Sequence, residues 1–312
     1  MPDYRDVRVN VTLTNVIRDY KFQNVNLIAD IVAPPAPVIS SIGTYKTLGR
    51  ELLSTQHSDA LGQEGELTKI GYEMSSSTYE CMPYGLKMLV TDREINQAPP
   101  GFDPMRQAAI TLLHGLKLRE ELRIVTLAQV AGTPTNYSTP SNDWDVEAAT
   151  IVADINSAKV LFEANMGGPD PTDFVIPNHI ANEMVNQQEI LALLSAVGAI
   201  PRPLDVLNLA VTGSDLPGSI FGMKLHQPKA RHNTANLGAT EVIANLWGND
   251  AYMFLIDNDL QGASWARQFR LTDVAVRQWR SFDPLGWWVG AEWEVDEVQL
   301  NSNAMWRFIA VT

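Results

Sequence analysis

The sequence contains a single cysteine, Cys81, among its 312 residues. One thiol can neither close a disulfide within the chain nor supply a cysteine cluster for a metal ion, so a disulfide-stapled scaffold and a zinc-ribbon site are both excluded. We interpret Cys81, which stands beside Met82, as a small buried hydrophobic residue. This cysteine usage is typical of a protein that assembles in a reducing cytosol.

Long apolar runs are also missing. No window approaches the roughly 20 uninterrupted apolar residues that a membrane-spanning helix needs. The first ten residues contain four charged side chains and no apolar centre of a signal peptide. We therefore expect neither secretion nor insertion into a membrane.

The sequence motifs of common catalytic sites do not occur. GxSxG, the P-loop and GxGxxG are absent, and the five histidines have neither HExxH nor another compact ligand spacing. Glu292, Glu294 and Asp296 alternate along the chain, which predicts one face of a solvated or subunit-facing strand rather than a pair of catalytic carboxylates. We predict no catalytic residue, no cofactor and no metal site.

Positive charge is scarce, because 23 lysines and arginines stand against 36 aspartates and glutamates, giving a formal net charge of -13. Such a chain disfavours non-specific binding of duplex DNA through a broad basic face. Apolar residues, in contrast, make up 45% of the sequence. That content can form the core of one large or two medium domains.

The clearest single element is a long helix over residues 103–132. Asp103 can cap its first turn, Pro104 suits the first helical position, and Gly132 followed by Pro134 ends it. Apolar residues recur between these ends at three-to-four spacing. A helix of about 27 residues, on the order of 40 Å long, suits a structural spine better than a pocket wall.

The segments before this helix are extended. Alternating apolar residues in 7–13 predict a strand. The prolines of 34–37 predict an arm that travels away from its own domain rather than a packed element. Residues 44–55 and 72–90 predict two limbs of a hairpin around a polar tip at 56–67, and a two-stranded ribbon of this kind needs another chain to cover it.

The segments after the helix mix both periodicities. Residues 145–165 predict an amphipathic helix, 174–176 a short strand and 177–186 a further helix, an alternation that indicates an α/β block. Alternating apolar residues return in 265–312 and predict strands. The fold class is therefore α+β.

Several short segments occur in a characteristic order along the chain: STYEC at 77–81, YGLK at 84–87, DREI at 92–95, LREE at 118–121, DFVIP at 173–177, LWGNDA at 246–251 and VRQWR at 276–280. In their order and spacing the chain resembles the major capsid proteins of tailed double-stranded DNA bacteriophages, which have the HK97-type fold. The resemblance implies these parts: an N-terminal arm at 1–42, an extended β-hairpin loop at 43–91, a peripheral domain at 92–142 with a spine helix at 103–131, an α/β axial domain at 143–260, and a returning β-sheet of the peripheral domain at 261–312.

The resemblance also implies a function. Many copies, arranged as pentamers and hexamers, would close into an icosahedral shell around a double-stranded DNA genome, in a virion assembled in the cytoplasm of a bacterial host. The implied partners are further copies of the chain, a portal protein, decoration or cement proteins, and packaged DNA bound without sequence preference. Because the arm follows the start so closely, we expect any scaffolding protein to be a separate chain.

Relatives that cross-link covalently join a lysine to an asparagine near a carboxylate. Lys69 has Glu64 and Glu66 nearby, but nothing marks a partner asparagine, so we do not expect cross-linking. We expect these three residues to make contacts between subunits instead, together with four arginines: Arg119, Arg123, Arg277 and Arg280.

A basic and aromatic cluster near the C-terminal end has two open interpretations; its members are Arg267, Arg270, Arg277, Arg280, Trp265 and Trp279. Arg267 and Arg270 would contact either DNA phosphates or other subunits. We favour pairing within the shell, with acidic residues of a neighbour or by stacking on tryptophan, because an acidic subunit has reason to keep its arginines paired.

The alternative function is that of an encapsulin, a nanocompartment shell with the same fold that encloses protein cargo. A pocket for a cargo peptide on the inner surface would indicate an encapsulin. An arm that invades neighbouring capsomers would indicate a viral capsid, and the prolines of 34–37 favour the capsid. A soluble hydrolase would need a polar constellation that the sequence does not contain.

Overall fold

The computed structural model describes residues 8–20, 27–48, 74–130, 136–146, 149–190, 219–235, 238–257 and 264–311. The chain divides into two compact units. The first comprises Met1–Gly43, Thr78–Thr126 and Arg267–Val298, and the second comprises Thr44–Ser77, Leu127–Ala266 and Gln299–Thr312. Each unit thus draws on several separate stretches of sequence.

The first unit is built on an antiparallel sheet of long strands. Its main path runs β1 (Arg8–Val9), β13 (Ala266–Phe282), β14 (Leu285–Gln299) and β5 (Met82–Thr91). A short strand, β2 (Pro35–Pro37), lies parallel to β13. Burial alternates along β14, as expected for a sheet covered on one face, and buries Val289, Ala291, Trp293 and Val295.

The predicted long helix is confirmed as α4 (Pro104–Val130). The Asp103 carboxylate accepts hydrogen bonds from the Met105 and Arg106 amides at 3.0 and 3.3 Å, which is the cap that the sequence predicts. One stripe of α4 packs on the sheet and forms the core of the unit with Val276 and the buried residues of β14. The buried residues of this stripe are Ala108, Ala109, Leu112, Leu113 and Leu116.

The strand predicted over residues 7–13 is wrong beyond Val9. The chain turns into helix α1 (Val11–Asp19), because the Asn10 side chain caps it by accepting from the Leu13 amide at 3.0 Å. Leu13 and Ile17, four residues apart, then face the core. Alternation over a few residues cannot distinguish these two outcomes, and the cap decides between them.

The predicted hairpin region also differs from expectation. Strand β3 (Ile42–Leu48) pairs with β4 (Met74–Glu80), but the next strand, β5, pairs with β14 instead. The predicted return limb therefore serves two sheets. Residues 49–73, which include the predicted polar tip and the three site residues Glu64, Glu66 and Lys69, lie outside the described part of the chain.

Two short helices join these strands. Helix α2 (Ala29–Val32) precedes β2, and helix α3 (Asp92–Gln97) follows β5 directly. Thr91 and Glu94 form a capping box at the start of α3, in which each side chain bonds the other's backbone amide. This capping box fixes the start of α3 directly after β5.

The second unit is an α/β arrangement, as predicted. Its six-stranded sheet has the order β6 (Tyr137–Ser138), β15 (Met305–Phe308), β12 (Ala251–Phe254), β7 (Asp173–Val175), β9 (Met223–His226) and β8 (Ser219–Ile220). Beside it lie helix α5 (Ile151–Met166), helix α6 (Asn178–Asn186) and a small sheet of β10 (Arg231–Asn233) and β11 (Ile243–Asn245). The strand predicted at 174–176 and the helix at 177–186 are confirmed within one residue.

Helix α5 begins six residues later than predicted. Its buried residues are Ile151, Ile155, Ala158, Phe162 and Met166. They recur at three-to-four spacing and form one apolar stripe, and Leu161, which lies outside this stripe, is 51% exposed.

Candidate functional site

Four charged side chains of the first unit meet between helix α4, helix α2 and strand β13. Lys117 of α4 lies 2.8 Å from Asp30 of α2 and 2.9 Å from Glu120 of its own helix. Arg270 of β13 pairs with Glu120 at 2.7 Å and also with Asp30. Both cations lie over the indole ring of Trp293, 5.1 and 5.2 Å from its centroid. We call Asp30, Lys117, Glu120 and Arg270 the charged clamp.

In the charged clamp, burial and ion pairing shift the pKa values of the two carboxyl groups in opposite directions. Burial raises the pKa of Glu120, whose side chain is fully enclosed, although Lys117 and Arg270 oppose that rise. Burial also acts to raise the pKa of Asp30, but the same two cations outweigh it and hold that pKa below its usual value. Glu120 therefore depends on both cations to carry its negative charge. Asp30 is half-exposed, and its charged form is favoured.

Glu121, the next residue, binds the start of helix α2. Its carboxylate accepts hydrogen bonds from the Ile28 amide at 3.0 Å and the Ala29 amide at 2.7 Å, and it is buried. A carboxylate at a helix N-terminus satisfies amides that the helix itself leaves unpaired. Glu120 is thus linked to the segment 28–33 through the two cations that also bind Asp30, and Glu121 binds backbone amides of the same segment.

The travelling arm predicted from the prolines is therefore wrong for residues 27–38. Ile28, Val32 and Ala33 are buried in their own chain, and β2 adds to the edge of β13. The prolines fit because β2 pairs with β13 on one side, where the Gln268 amide donates to the Pro34 carbonyl and the Val38 amide donates to the Arg270 carbonyl. Proline content alone predicts an extended path and not where that path lies.

Most of the predicted arginine sites are paired inside the chain. Arg123 binds Glu297 at 2.6 to 3.0 Å and covers the Tyr84 ring at 3.9 Å. Arg277 pairs with Glu292. These partners lie in the same chain, whereas the favoured interpretation placed acidic partners in a neighbouring copy, and the expected contacts of both arginines between subunits stay a prediction.

Arg280 binds Asp92 at 2.7 Å and lies over Trp287, which is the stacking on tryptophan that the sequence left open. Arg270 belongs to the charged clamp, so we do not carry it forward as a contact to DNA or to another subunit. Arg267 is half-buried on β13. Arg119, by contrast, is exposed on α4 and has no ion pair or hydrogen bond to any described residue.

The sequence reasoning missed the clamp, although one signal was present. Leu113, Leu116 and Glu120 follow each other at i, i+3 and i+7 of the long helix, which places Glu120 on the buried stripe. A glutamate on an apolar stripe requires cationic partners. One of these cations, Lys117, is close to Glu120 in sequence. Arg270 and Asp30 are distant in sequence and are brought together only by the fold.

Strand β5 forms an exposed border of the first sheet. Among the described residues it pairs only with β14, so its other side presents unpaired backbone groups. Met82, Leu86 and Met88 on this strand are all at least 40% exposed, although Leu86 packs over Gly115 of α4, where a larger residue would collide with it. A long apolar strand at a sheet edge is a surface that another chain can extend or cover.

A polar trio in the described part of the second unit has the residue types of a hydrolase site, but it does not have the hydrogen bonding of one. Asp173 accepts from the Thr172 hydroxyl at 2.6 Å and pairs with His226 at 2.7 Å. A nucleophilic hydroxyl must bond to the base that takes its proton, and here it bonds to the carboxylate instead. Cys81 is not an activated nucleophile either, because burial, with help from Asp296, raises the pKa of its thiol.

The described ranges also bear on metal sites and on membrane-spanning helices. No group of three or more histidine, cysteine, aspartate and glutamate side chains has a metal-binding arrangement there. In the same ranges, no helix combines the length and the apolar character needed to cross a bilayer. What the described surface does present is an exposed strand edge and apolar side chains.

The fold is the mixed helix-and-sheet fold of shell-forming proteins, both phage capsids and encapsulins. A phage-related protein from Bordetella bronchiseptica RB50 superposes with a TM-score of 0.68 at 16% identity, covering 97% of each chain. The capsid of cyanophage P-SCSP1u gives a TM-score of 0.57 at 14% identity, over 93% of this chain and 89% of that one. The SrpI encapsulin from Synechococcus elongatus gives 0.55 at 10% identity, over 94% and 91%.

Neither a protein-family model nor a curated protein sequence matches the chain. The structural likeness nevertheless spans nearly the whole molecule, and it confirms the resemblance to phage capsid proteins at the level of the fold. At identities of this size, the comparison speaks to the fold, and the function has to be argued from the surface.

Proposed function

We propose that the chain is a major capsid protein whose copies, as pentamers and hexamers, close into an icosahedral shell around double-stranded DNA. The observation that carries this proposal is a fold shared with a phage-related protein over 97% of the chain and with a cyanophage capsid over 93%. The exposed β5 edge and its apolar side chains support it, because such a surface promotes aggregation of a monomer but can be buried between the subunits of an assembly.

In this proposal the elements take the roles that the resemblance implies. Helix α4 is the spine of the peripheral domain, residues 43–91 the extended loop, and residues 143–260 the axial domain whose loops meet at the capsomer axes. The loop of one copy covers the peripheral domain of the next. Many individually weak contacts then add up to a stable shell, because each copy is held by several neighbours at once.

The partners proposed for this shell are a portal protein, a separate scaffolding protein, decoration proteins and the packaged genome. Contact with DNA is non-specific and falls to surfaces other than the clamp, since Arg270 is engaged within its own chain. The virion is the proposed location, after assembly in the cytoplasm of a bacterial host.

A second function, the encapsulin shell, is favoured by the likeness to the SrpI encapsulin. The sequence argument against it was an arm that invades neighbours, and residues 27–38 instead pack on their own chain. The arm prolines therefore no longer separate the two functions.

Analysis of the particle contents tests which shell this is. Particles purified from infected or induced cells are treated with nuclease, disrupted and analysed for DNA and protein. A capsid protects genome-length DNA, and an encapsulin contains a protein cargo and no protected genome. A chain recovered from the same cells only as a soluble monomer would contradict both functions.

A further inference from the structure

The turn between strands β13 and β14 carries a highly exposed large aromatic side chain. Phe282 is 80% exposed and Leu285 is 59% exposed, on either side of Asp283 and Pro284. We call residues 282–285 the hairpin knob. Two large apolar side chains projecting together from a rigid hairpin are unfavourable in water and typical of a contact surface.

An apolar groove opens on the same unit, where helix α3 leads into helix α4. It has a volume of about 410 Å³, and its apolar lining comes from Met88, Val90, Ala98, Pro99, Phe102 and Ala108. Phe102 is 49% exposed. Glu94, Gln97, Gln107 and Thr111 contribute polar groups to the lining, but apolar residues are the majority, so the groove suits mainly apolar side chains.

The knob and the groove are neighbours held apart by the framework of the unit. The Arg280 guanidinium, at the base of the knob, binds the Asp92 carboxylate at the start of α3. Gly286, just after the knob, pairs with Thr91, and a side chain at this glycine would lie 2.5 Å from the Val90 carbonyl oxygen. The hairpin is thereby fixed beside strand β5, and Phe282 stays exposed instead of filling the groove of its own chain.

The charges around the two features are complementary. Asp283 of the knob is exposed, and it makes no ion pair with any described residue. Arg93 is exposed on α3, four residues before the groove residue Gln97 and so on the same side of that helix, and it too has no ion pair in the described part of the chain. The Glu94 carboxylate also lines the groove, but it accepts hydrogen bonds from the Thr91 amide and hydroxyl. A knob with one anion that has no described partner therefore matches a mainly apolar groove beside a cation that has none.

We propose that the hairpin knob of one copy inserts into the α3–α4 groove of a neighbouring copy, with Asp283 facing Arg93. This inference rests on the proposed function, which supplies the second copy. Because each copy carries both a knob and a groove, the contact is head-to-tail and can repeat around a symmetry axis. Phe282 and Leu285 would be the residues on which this contact between copies depends most.

Photo-cross-linking in assembled particles tests the contact. Full-length protein with p-benzoylphenylalanine in place of Phe282 is co-assembled with ¹⁵N-labelled wild-type protein, irradiated, digested and mapped by mass spectrometry. The proposal predicts that the unlabelled knob is joined to labelled peptides from residues 88–111. Cross-links to any other segment, or only within one chain, overturn it.

Two substitutions approach the contact from opposite sides. Phe282→Ser removes the knob, and Thr111→Trp fills the groove from an exposed lining position. Each should lower the yield of shells by roughly tenfold or more while the free protein keeps its circular dichroism spectrum. Ile39→Ser is the matched control, since Ile39 is fully exposed away from both features, and it should leave the yield unchanged.

The results separate this contact from the proposed function. Wild-type shells with unaffected Phe282→Ser and Thr111→Trp variants overturn the contact and leave the shell intact. A wild-type chain that remains monomeric overturns both.

Discussion

Glu120 and Glu121 are adjacent glutamates with different tasks, and together they explain how residues 27–38 are held. Glu120 is enclosed and depends on Lys117 and Arg270 for its charge, whereas Glu121 binds the backbone of α2. Neither interaction need stabilise the chain more than apolar packing would. Removing one partner is costly all the same, because the other is left as an unpaired buried charge.

Replacing Arg270 with glutamine should lower the free energy of unfolding by about 3 kcal/mol at pH 8. Burial already raises the pKa of Glu120, and the loss of one cation raises it further. A raised pKa favours the folded state as the pH falls, so the deficit should shrink from pH 8 toward the unfolded-state value of about 4.3. Urea unfolding at pH 8, 6.5 and 5 measures it.

In the wild-type chain the pKa of Asp30 is lowered against the effect of burial by Lys117 and Arg270, so its contribution disappears only at more acidic pH, whereas in Arg270→Gln only Lys117 remains to oppose burial there. Arg106→Gln, at an exposed arginine of the same helix, is the control and should change stability by less than about 0.5 kcal/mol. A deficit for Arg270→Gln that is equal at all three pH values would show that Glu120 is not kept charged by this cation.

Glu121→Ala should release the start of helix α2. Two buried amides lose their acceptor, at a cost of about 1–3 kcal/mol each if water cannot replace it. Hydrogen exchange followed by mass spectrometry should show faster exchange of residues 28–33. Glu94→Ala is the control, since Glu94 bonds the Thr91 amide at the start of exposed helix α3, and its effect should stay within residues 91–97.

Unchanged protection of residues 28–33 in Glu121→Ala would mean that packing of Ile28 and Val32 alone holds the arm.

At the residue scale, the sequence predicted that the arginines would be paired and that some would stack on tryptophan. It could not identify the partners, because Asp30, Glu120 and Arg270 come from three distant stretches of the chain.

Helix α4 is the element that the sequence predicts best. Its cap, its length and its apolar stripe are all local signals, and each is found in the structure. Helix α1 and strand β2 were predicted incorrectly or only in part. Their form depends on the Asn10 cap and on an available edge of β13, and the second of these is set by residues more than 200 positions away.

Two substitutions on α4 should separate folding from assembly. Leu112 is buried in the core between helix and sheet, so Leu112→Asp should leave no soluble folded protein, because an unpaired buried charge costs a large part of a typical stability of 5–15 kcal/mol. Arg119→Glu should give protein with a normal melting temperature and a reduced yield of shells. Sedimentation and thermal melting measure both properties.

Arg123 does not belong with Arg119 in this test. Its ion pair with the nearly enclosed Glu297 makes charge reversal a folding defect, which corrects the expectation from the sequence that both arginines are free for assembly. Arg119→Glu protein that forms shells at the wild-type yield would show that α4 only supports its own unit.

At the scale of the whole molecule, the order of segments was more informative than any single motif. The order of short segments along the chain suggested the fold of phage capsid proteins, and structural likeness over nearly the entire length confirms that resemblance at the level of the fold. The sequence could not place the exposed hairpin knob or the groove, since both depend on how distant strands end beside helix α3.

The capsid function and the encapsulin function differ in what the particle contains, but both require a closed shell. That requirement is the central claim, and it can be tested without knowing the host. The exposed strand β5 and the apolar residues beside it have a clear physical role only if other copies cover them.

Electron cryomicroscopy of the purified full-length protein at rising concentration tests this claim most directly. The account predicts closed particles with fivefold and sixfold capsomers in which a neighbouring copy covers strand β5. A protein that stays monomeric, or stops at a small ring with β5 exposed to solvent, would contradict it.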